Sequence, residues 1–503
     1  MGLARQMSQQ KQHSQRSKRP AVVKSEPKQV AEQDKPQVSR PTTDDEEAWG
    51  DYWKTQNQPW RTEPEISLER QEELEKRRAI VPDIKGGIYP FGGMKLSRAD
   101  VEWLLTTHDG GRGPVDWNNE QDRAREGLDL RCADLCDVNL QGLPLARMVG
   151  GLNGIDWDNI GLYKAGLAGV HLERTVLDFA HLEGAILNRA HLEHASFSNA
   201  HLEEAAVNRA FLGRAYLKEV HLEKASLRHA HLERSYLGKA QLGGADLTGA
   251  HLEGTNLFEA CFVSKKLNSA SSEILPFTNL RSAFFDDATT LQGANFGEKE
   301  HGCVLLADVR WGGVNLSALN WSQMKSLGDE EKALQKIHNG GTKQKDTRLS
   351  AYSFATRANR QLAVALRNQG LNEVADHFAY RAQLCQRAVL WYQGWPSWVK
   401  WLGSWFLTLI AGYGYKPWRT ILWYLFIIGS FASAYSFIGH LPPWPDSLVF
   451  SVMSFHGRGF FPSLSGETSL HNPVVICAAA EAVVGLLIEV SFIATFTQRF
   501  FGK

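Results

Sequence analysis

From Leu162 to Phe262 an apolar residue falls at every fifth position, and twenty-one consecutive centres keep the beat. Leu182, Leu192, Phe197, Leu202 and Leu232 are among them. Two positions before most centres stands a small residue, as at Ala180, Ala185, Ala190, Ala195, Ala200 and Ala205. An α-helix has a period of about 3.6 and a strand a period of 2, so neither explains a strict five. A fixed short period predicts a solenoid whose units bury their apolar side chains only by stacking. An earlier run, Leu130, Leu135, Leu140 and Leu145, precedes a break at Gly150-Gly151.

The unit Ala-(Asp/Asn)-Leu-x-x, seen at Ala245-Asp246-Leu247-Thr248-Gly249, resembles the pentapeptide-repeat family. The resemblance implies a right-handed quadrilateral β-helix with about twenty residues per coil. The central Leu or Phe and the preceding small residue would point inward. Five coils at the β-stacking distance would make a rod roughly 25 Å long. The sequence departs from the family where His replaces the usual Asp or Asn. His171, His181, His191, His201, His221, His231 and His251 are each followed by Leu-Glu. By the family geometry they alternate between two opposite faces and stack on each. Two readings stand: neutral histidines acting as hydrogen-bonding turn residues, or a pH-sensing or metal-binding strip. No metal ligands are assigned.

The rest of the chain divides around this rod. Residues 1–62 are rich in Gln, Ser, Lys, Pro and Glu and are expected to be a disordered tail. Residues 63–127 read as a short helical lead-in, with one helix over 67–80 and another opened by Ser97 and Asp100. The solenoid is placed at 128–325, its residues 263–325 forming an irregular C-terminal cap. Residues 326–394 read as a helical hairpin, its helices at 347–369 and 372–391, stopped by Gly370 and capped by Asn372. One hairpin alone makes a poor groove, so a coupling or oligomerisation role is expected for it. Cys132, Cys136, Cys261, Cys303, Cys385 and Cys477 include no CxxC pair and read as reduced thiols.

The last hundred residues are strongly apolar. Thr420–Gly439 carries no charge, and Val474–Thr497 is apolar except for Glu481 and Glu489. Each is long enough to span a bilayer. Residues 420–503 therefore read as a two-span membrane domain, preceded by an interfacial segment at 395–419. Residues 1–20 hold no apolar stretch of signal-peptide length. Lys400, Lys416 and Arg419 precede the pair and Arg499 and Lys503 follow it, so both termini are expected in the cytoplasm.

Between the spans a short apolar stretch, Leu448–Phe455, runs into His456-Gly457-Arg458-Gly459 and then Pro462. This order resembles the pore helix and filter loop of two-span potassium-type channels. Residues 481–489 of the second span look like that family's inner helix, with a central Gly485. The resemblance implies a tetramer with a selectivity filter at Ser454, Phe455, His456, Gly457, Arg458 and Gly459. It also implies that Glu481, Gly485 and Glu489 line or support the pore, Glu481 behind the filter and Glu489 as a ring in the cavity. Glycines allow carbonyls to turn toward an axis and replace the water around an ion. Arg458 stands where the family has Tyr, with Asp446 and Glu481 as candidate partners, so potassium selectivity is not implied.

The expected function is a tetrameric, membrane-embedded ion channel of undetermined selectivity, with inorganic ions as its cargo and a cytosolic repeat domain as sensor or scaffold. A non-conducting, membrane-anchored interaction scaffold is the alternative, with a soluble partner left unidentified. A DNA mimic is disfavoured: residues 160–262 hold twelve Asp or Glu against ten Lys or Arg, far from the acidic rod it needs. The whole chain has no net charge, and no nucleic-acid partner is expected. No P-loop, G-x-S-x-G or H-E-x-x-H motif occurs, so no catalytic residue, cofactor or enzymatic activity is assigned. Such a fusion looks prokaryotic, and a bacterial source is expected.

Overall fold

The computed structural model describes residues 39–42, 45–153, 168–263, 277–298, 300–321, 324–335, 342–415, 417–438, 445–457 and 473–500. Its centre is a stack of coils joined by parallel bridges between residues twenty apart. His171 pairs with His191, Val176 with Ser196, His181 with His201 and Ile186 with Ala206, so each coil has four bridged sides. The five-residue centres and the small residues before them are sealed inside: Leu182, Leu192, Phe197, Leu232 and Ala205 have no exposed surface, and Leu202 almost none. Where Thr or Ser takes the small position the hydroxyl finds a carbonyl. Thr175 Oγ1 donates to Leu135 O at 2.8 Å and Ser235 Oγ to Leu232 O at 2.6 Å.

The corners explain the five-residue unit. A turn closes after each centre, as in Thr175 N–H to Leu172 O at 3.2 Å. The residue two past the centre takes a left-handed backbone, at Arg174, Phe179, Arg189, His194, Asn199 and Glu204 alike. That conformation costs a non-glycine residue about 1–2 kcal/mol. A bond from its N–H to the next coil offsets the cost, as in Arg174 N–H to Glu193 O at 3.0 Å.

The rod is longer than the periodic stretch. On one face the bridges run Lys95, Asp134, His171, His191, Phe211, His231, His251, Phe284 and Arg310. Eight steps at ~4.8 Å give roughly 38 Å. The lead-in at 63–127 also contributes a rung at Lys95 and a helix over it. Residues 263–325 extend the rod through Asn279, Phe284, Thr290, Asn295 and Arg310. Asp134 bridges directly to His171, 37 residues on rather than 20. The expected centres Leu162 and Leu167 lie outside the described residues.

Helices close both ends. At the N-terminal end lie α1 (Glu46–Thr55), α2 (Leu68–Arg78) and α3 (Arg98–Thr106), α2 packing on α3 and α3 starting with the expected Ser97–Asp100 capping box. Leu74, Leu96, Val101 and Leu104 join the rod's own apolar core. Helix α1 corrects the expectation of a disordered tail through residue 62: Trp49 and Trp53 are buried, and the Arg61 guanidinium lies 3.5 Å from the Trp53 ring centre. Buried Glu102 binds this segment, accepting from Thr62 N and Glu63 N at 3.0 Å each and from Arg98 Nε at 2.8 Å.

At the other end α4 (Gly328–Leu334), α5 (Thr342–Asn368) and α6 (Asn372–Gln393) cover the last coil. Gln361 on α5 and Gln369 just past its end pair with the open edge of that coil. Gln361 Oε1 accepts from Asp308 N at 2.8 Å; Gln369 accepts from Leu316 N at 2.8 Å and donates to Val314 O at 2.6 Å. Arg381 of α6 clasps Glu330 of α4 at 2.5 and 3.0 Å. Leu362, Leu366 and Phe378 of the hairpin belong to the rod's core. The hairpin is thus the rod's cap, protecting an edge that would otherwise template further strands. Its second helix is capped at Leu371, with Asn372 already inside the helix.

Helix α7 (Trp398–Ala411) comes next, then α8 (Pro417–Ile438), α9 (Asp446–Phe455) and α10 (Pro473–Phe500). Helices α8 and α10 are long and apolar enough to cross a membrane. With 14 residues, α7 is about 21 Å long, short of a hydrocarbon core of about 30 Å.

Two outcomes test this fold. Ala205→Arg forces a charged side chain into the closed axis, and the expected result is no cooperative unfolding transition by circular dichroism. Arg214 is exposed with φ 58°. Arg214→Val puts a β-branched residue in that left-handed corner and should cost roughly 1–3 kcal/mol, lowering the thermal midpoint, whereas Arg214→Gly should not.

Candidate functional site

Short helix α9 packs between α8 and α10. Its inward face is small and polar, with Ser447, Ser451 and Ser454 buried together with Phe455. Ser451 sits opposite the buried carboxylate of Glu481 on α10. Its hydroxyl lies within hydrogen-bond reach of both that carboxylate and Ile428 O, the latter at 3.0 Å. The other Glu481 oxygen accepts from Tyr435 O–H of α8 at 2.6 Å. One carboxylate therefore joins all three helices in a site closed to solvent.

One turn further along α10, Gly485 lets the helices touch. A Cβ at this position would overlap the carbonyl of Phe455, the last residue of α9. Two turns along, Glu489 bonds His456 Nδ1, and His456 Nε2 meets Tyr424 O–H of α8 at 3.2 Å. The side chains of His456 and Glu489 are 38% and 35% exposed, so this second network is open where the first is closed. After His456 the chain turns at Gly457, whose φ is 65°. The C-terminal end of α9, where helix carbonyls concentrate partial negative charge, ends at this turn.

The structure gathers much of the expected site and changes some roles. Ser454 and Phe455 lie inside α9 with buried side chains, not in an extended filter backbone. His456 and Gly457 occupy the turn, and Arg458 and Gly459 lie outside the described residues. Both Glu481 oxygens have partners on α8 and α9. Glu489 is paired with His456 within the chain. Tyr435, Ser451 and Tyr424 were missed in the sequence. The signal available was the serines at 447, 451 and 454, which recur at helical spacing in an otherwise apolar helix.

The outer surfaces of α8 and α10 are apolar and uncovered. Leu425, Phe426, Phe437, Val483, Leu486 and Ile493 are each more than half exposed, an apolar surface that something other than this chain must cover.

Comparison with known proteins concerns the rod. Residues 165–203, 195–234 and 235–270 match the family model described as pentapeptide repeats, in 8 copies. These coils are pentapeptide repeats. Among solved structures, QnrB1, a plasmid-mediated fluoroquinolone resistance protein, is 16% identical, with 42% of this chain and 93% of that one covered and a TM-score of 0.21. HetL from Nostoc, a pentapeptide-repeat protein involved in heterocyst differentiation regulation, is 21% identical over 46% of this chain and 98% of its own, with a TM-score of 0.17. Rfr23 from Cyanothece is 24% identical over 31% and 90%, with a TM-score of 0.14. None of the curated proteins compared with the chain matches it.

Tyr435→Phe leaves a closed carboxylate oxygen without its donor. The expected loss is about 1–3 kcal/mol, read as a lower denaturation midpoint in detergent, while Tyr424→Phe at the open network should cost less.

Proposed function

We propose that the chain is a membrane channel in which four copies place the α9–Gly457 turn around one axis, with the pentapeptide-repeat rod as a soluble scaffold beside the pore. The observation that carries the reading is the wedge of α9. A ten-residue helix, locked to both long helices by Glu481, ends at a half-open His456–Glu489 pair and a left-handed glycine. Non-helical backbone at membrane depth is tolerated only within protein or around water. One turn per chain makes a fraction of a ring, hence the homotetramer. Helix α9 serves as pore helix, its C-terminal dipole favouring cations, and residues 456–459 serve as the filter. The spans lie in a cell membrane with both chain ends in the cytoplasm, and the rod has no enzymatic role.

A mechanical route from scaffold to pore accompanies the reading. Arg387 of α6 donates to Thr408 of α7 at 3.0 Å and lies over the Trp405 ring, and Thr420 of α8 donates to Ile410 O at 3.2 Å. A shift of the capped rod would therefore reach the first span through α7.

Ion flux into proteoliposomes tests the proposal. Wild-type flux is expected, with Gly457→Ala abolishing it and Arg458→Tyr raising the preference for potassium. Glu489→Gln should lower conductance without preventing assembly. Absence of wild-type flux across pH and voltage would overturn the channel in favour of a membrane-anchored scaffold.

A further inference from the structure

The rod carries two ladders that a channel scaffold does not require. On one face the His171 and His191 rings stack 4.6 Å apart and within 5° of parallel, and His231 and His251 stack at 4.8 Å. On the opposite side His201 and His221 stack at 4.7 Å. The Glu two residues after each His folds back along the coil. Glu173 lies 3.0 Å from His171 Nδ1, Glu203 3.1 Å from His201 and Glu233 2.9 Å from His231. Glu203 and Glu233 also reach toward the next coil, 3.9 Å from His221 Nδ1 and 4.0 Å from His251 Nδ1.

The pairing of His with Glu is tied together along the chain. In the ladder positions from 171 to 251, every His is followed by Leu-Glu, whereas Phe211 and Gln241 are followed by Leu-Gly. Stacking alone needs no carboxylate, since Phe211 stacks between His191 and His231 at 5.1 and 5.2 Å. A turn residue needs none either, since Gln241 bridges as well as His. Something at the histidine positions requires the carboxylate. The carboxylates are not all satisfied by the imidazoles: Glu183, Glu193, Glu203, Glu223 and Glu253 each keep one oxygen closed to solvent without a hydrogen-bond partner among the described residues.

We propose that three His–Glu–His clusters, His171–Glu173–His191, His201–Glu203–His221 and His231–Glu233–His251, each bind one divalent transition-metal ion of the zinc type. In each cluster the candidate ligand atoms lie within 4.8 Å of one another. Two imidazoles and a carboxylate suit zinc, cobalt or nickel rather than calcium or magnesium, which take oxygen ligands. Zinc at about 2.0–2.1 Å from each ligand needs them roughly 3.3 Å apart. The side chains are 24–44% exposed and can turn inward by that amount while the coils hold the backbone still. Each ion would be shared by successive coils, with an outward position left to water. Phe211 separates the two clusters of one face and Gln241 ends the other.

The full chain, purified in detergent without a polyhistidine tag and stripped with chelator, is dialysed against micromolar Zn²⁺ and its metal content measured. Three ions per chain are expected. His201→Asn with His221→Asn, which keeps a hydrogen-bonding side chain at the turn, should remove one, and Glu203→Gln should weaken that site by about tenfold or more. Co²⁺ should give visible ligand-field bands that disappear in a variant with Asn at 171, 201 and 231. Melting curves in chelator establish that each variant is folded. No stoichiometric binding to the wild type, or undiminished binding to the folded triple variant, would overturn the proposal. Neither result bears on ion flux through the pore.

Discussion

A coil of this rod cannot exist alone. Its Leu and Ala point at an axis that closes only when another coil sits above and below, and the left-handed corner residues are tolerated because their N–H groups bond to the adjoining coil. Stacking is thus both the source of stability and a liability, because it leaves two ends that invite continuation. The accessory helices answer this. Helix α3 lays Val101 and Leu104 over the first coil. At the far end Gln361 and Gln369 satisfy the last coil's edge, their side-chain amides offering the donor and acceptor a missing strand would have supplied. The cap gives the rod a defined length and gives α7 a firm attachment.

The interior of this rod was legible because its rule is local: a centre every five residues and a small residue two before it. Its ends were not. The rungs at Asp134, Phe284 and Arg310 are separated from their neighbours by loops of irregular length, which the beat cannot cross. The caps depend on contacts such as Asp308 with Gln361 and Glu330 with Arg381, 53 and 51 residues apart, for which no spacing rule exists. Helix α1 was hidden by composition: Trp49 and Trp53 are two apolar side chains in a polar tail, and only the surrounding Arg61 and Glu63 show why they are ordered. In the apolar C-terminal region the sequence singled out both acidic residues and gave them different expected roles, but their partners on α8 and α9 were not legible in it.

Those surroundings divide the labour between two carboxylates on one helix. Glu481 is closed in and bonded to Tyr435 and Ser451, the arrangement of a group that fixes helices in place. Glu489 is partly exposed and joined to His456 at the turn. Between them Gly485 sets the distance, since only a residue without Cβ lets α10 approach the carbonyl of Phe455. On the proposed reading, closed support on one side of this contact and an open polar pair on the other suit a water-lined turn within an apolar layer.

The two halves of the molecule differ in how they can move. The rod's bridges repeat with constant spacing and its core has no exposed side chains, so a force on it is passed along rather than absorbed. Helix α7 is different: it is joined to α6 by Arg387 and to α8 by Thr420, and its Trp398 and Trp405 are about half exposed. Tryptophans of this kind favour a membrane–water boundary, where the ring is apolar and its N–H is wet. On the proposed reading, a rod ending in a helical cap and joined to a short helix at such a boundary would convert a displacement of the cap into a displacement of α7. Because α7 is bonded to the start of α8, α8 is the element that such a movement would reach first.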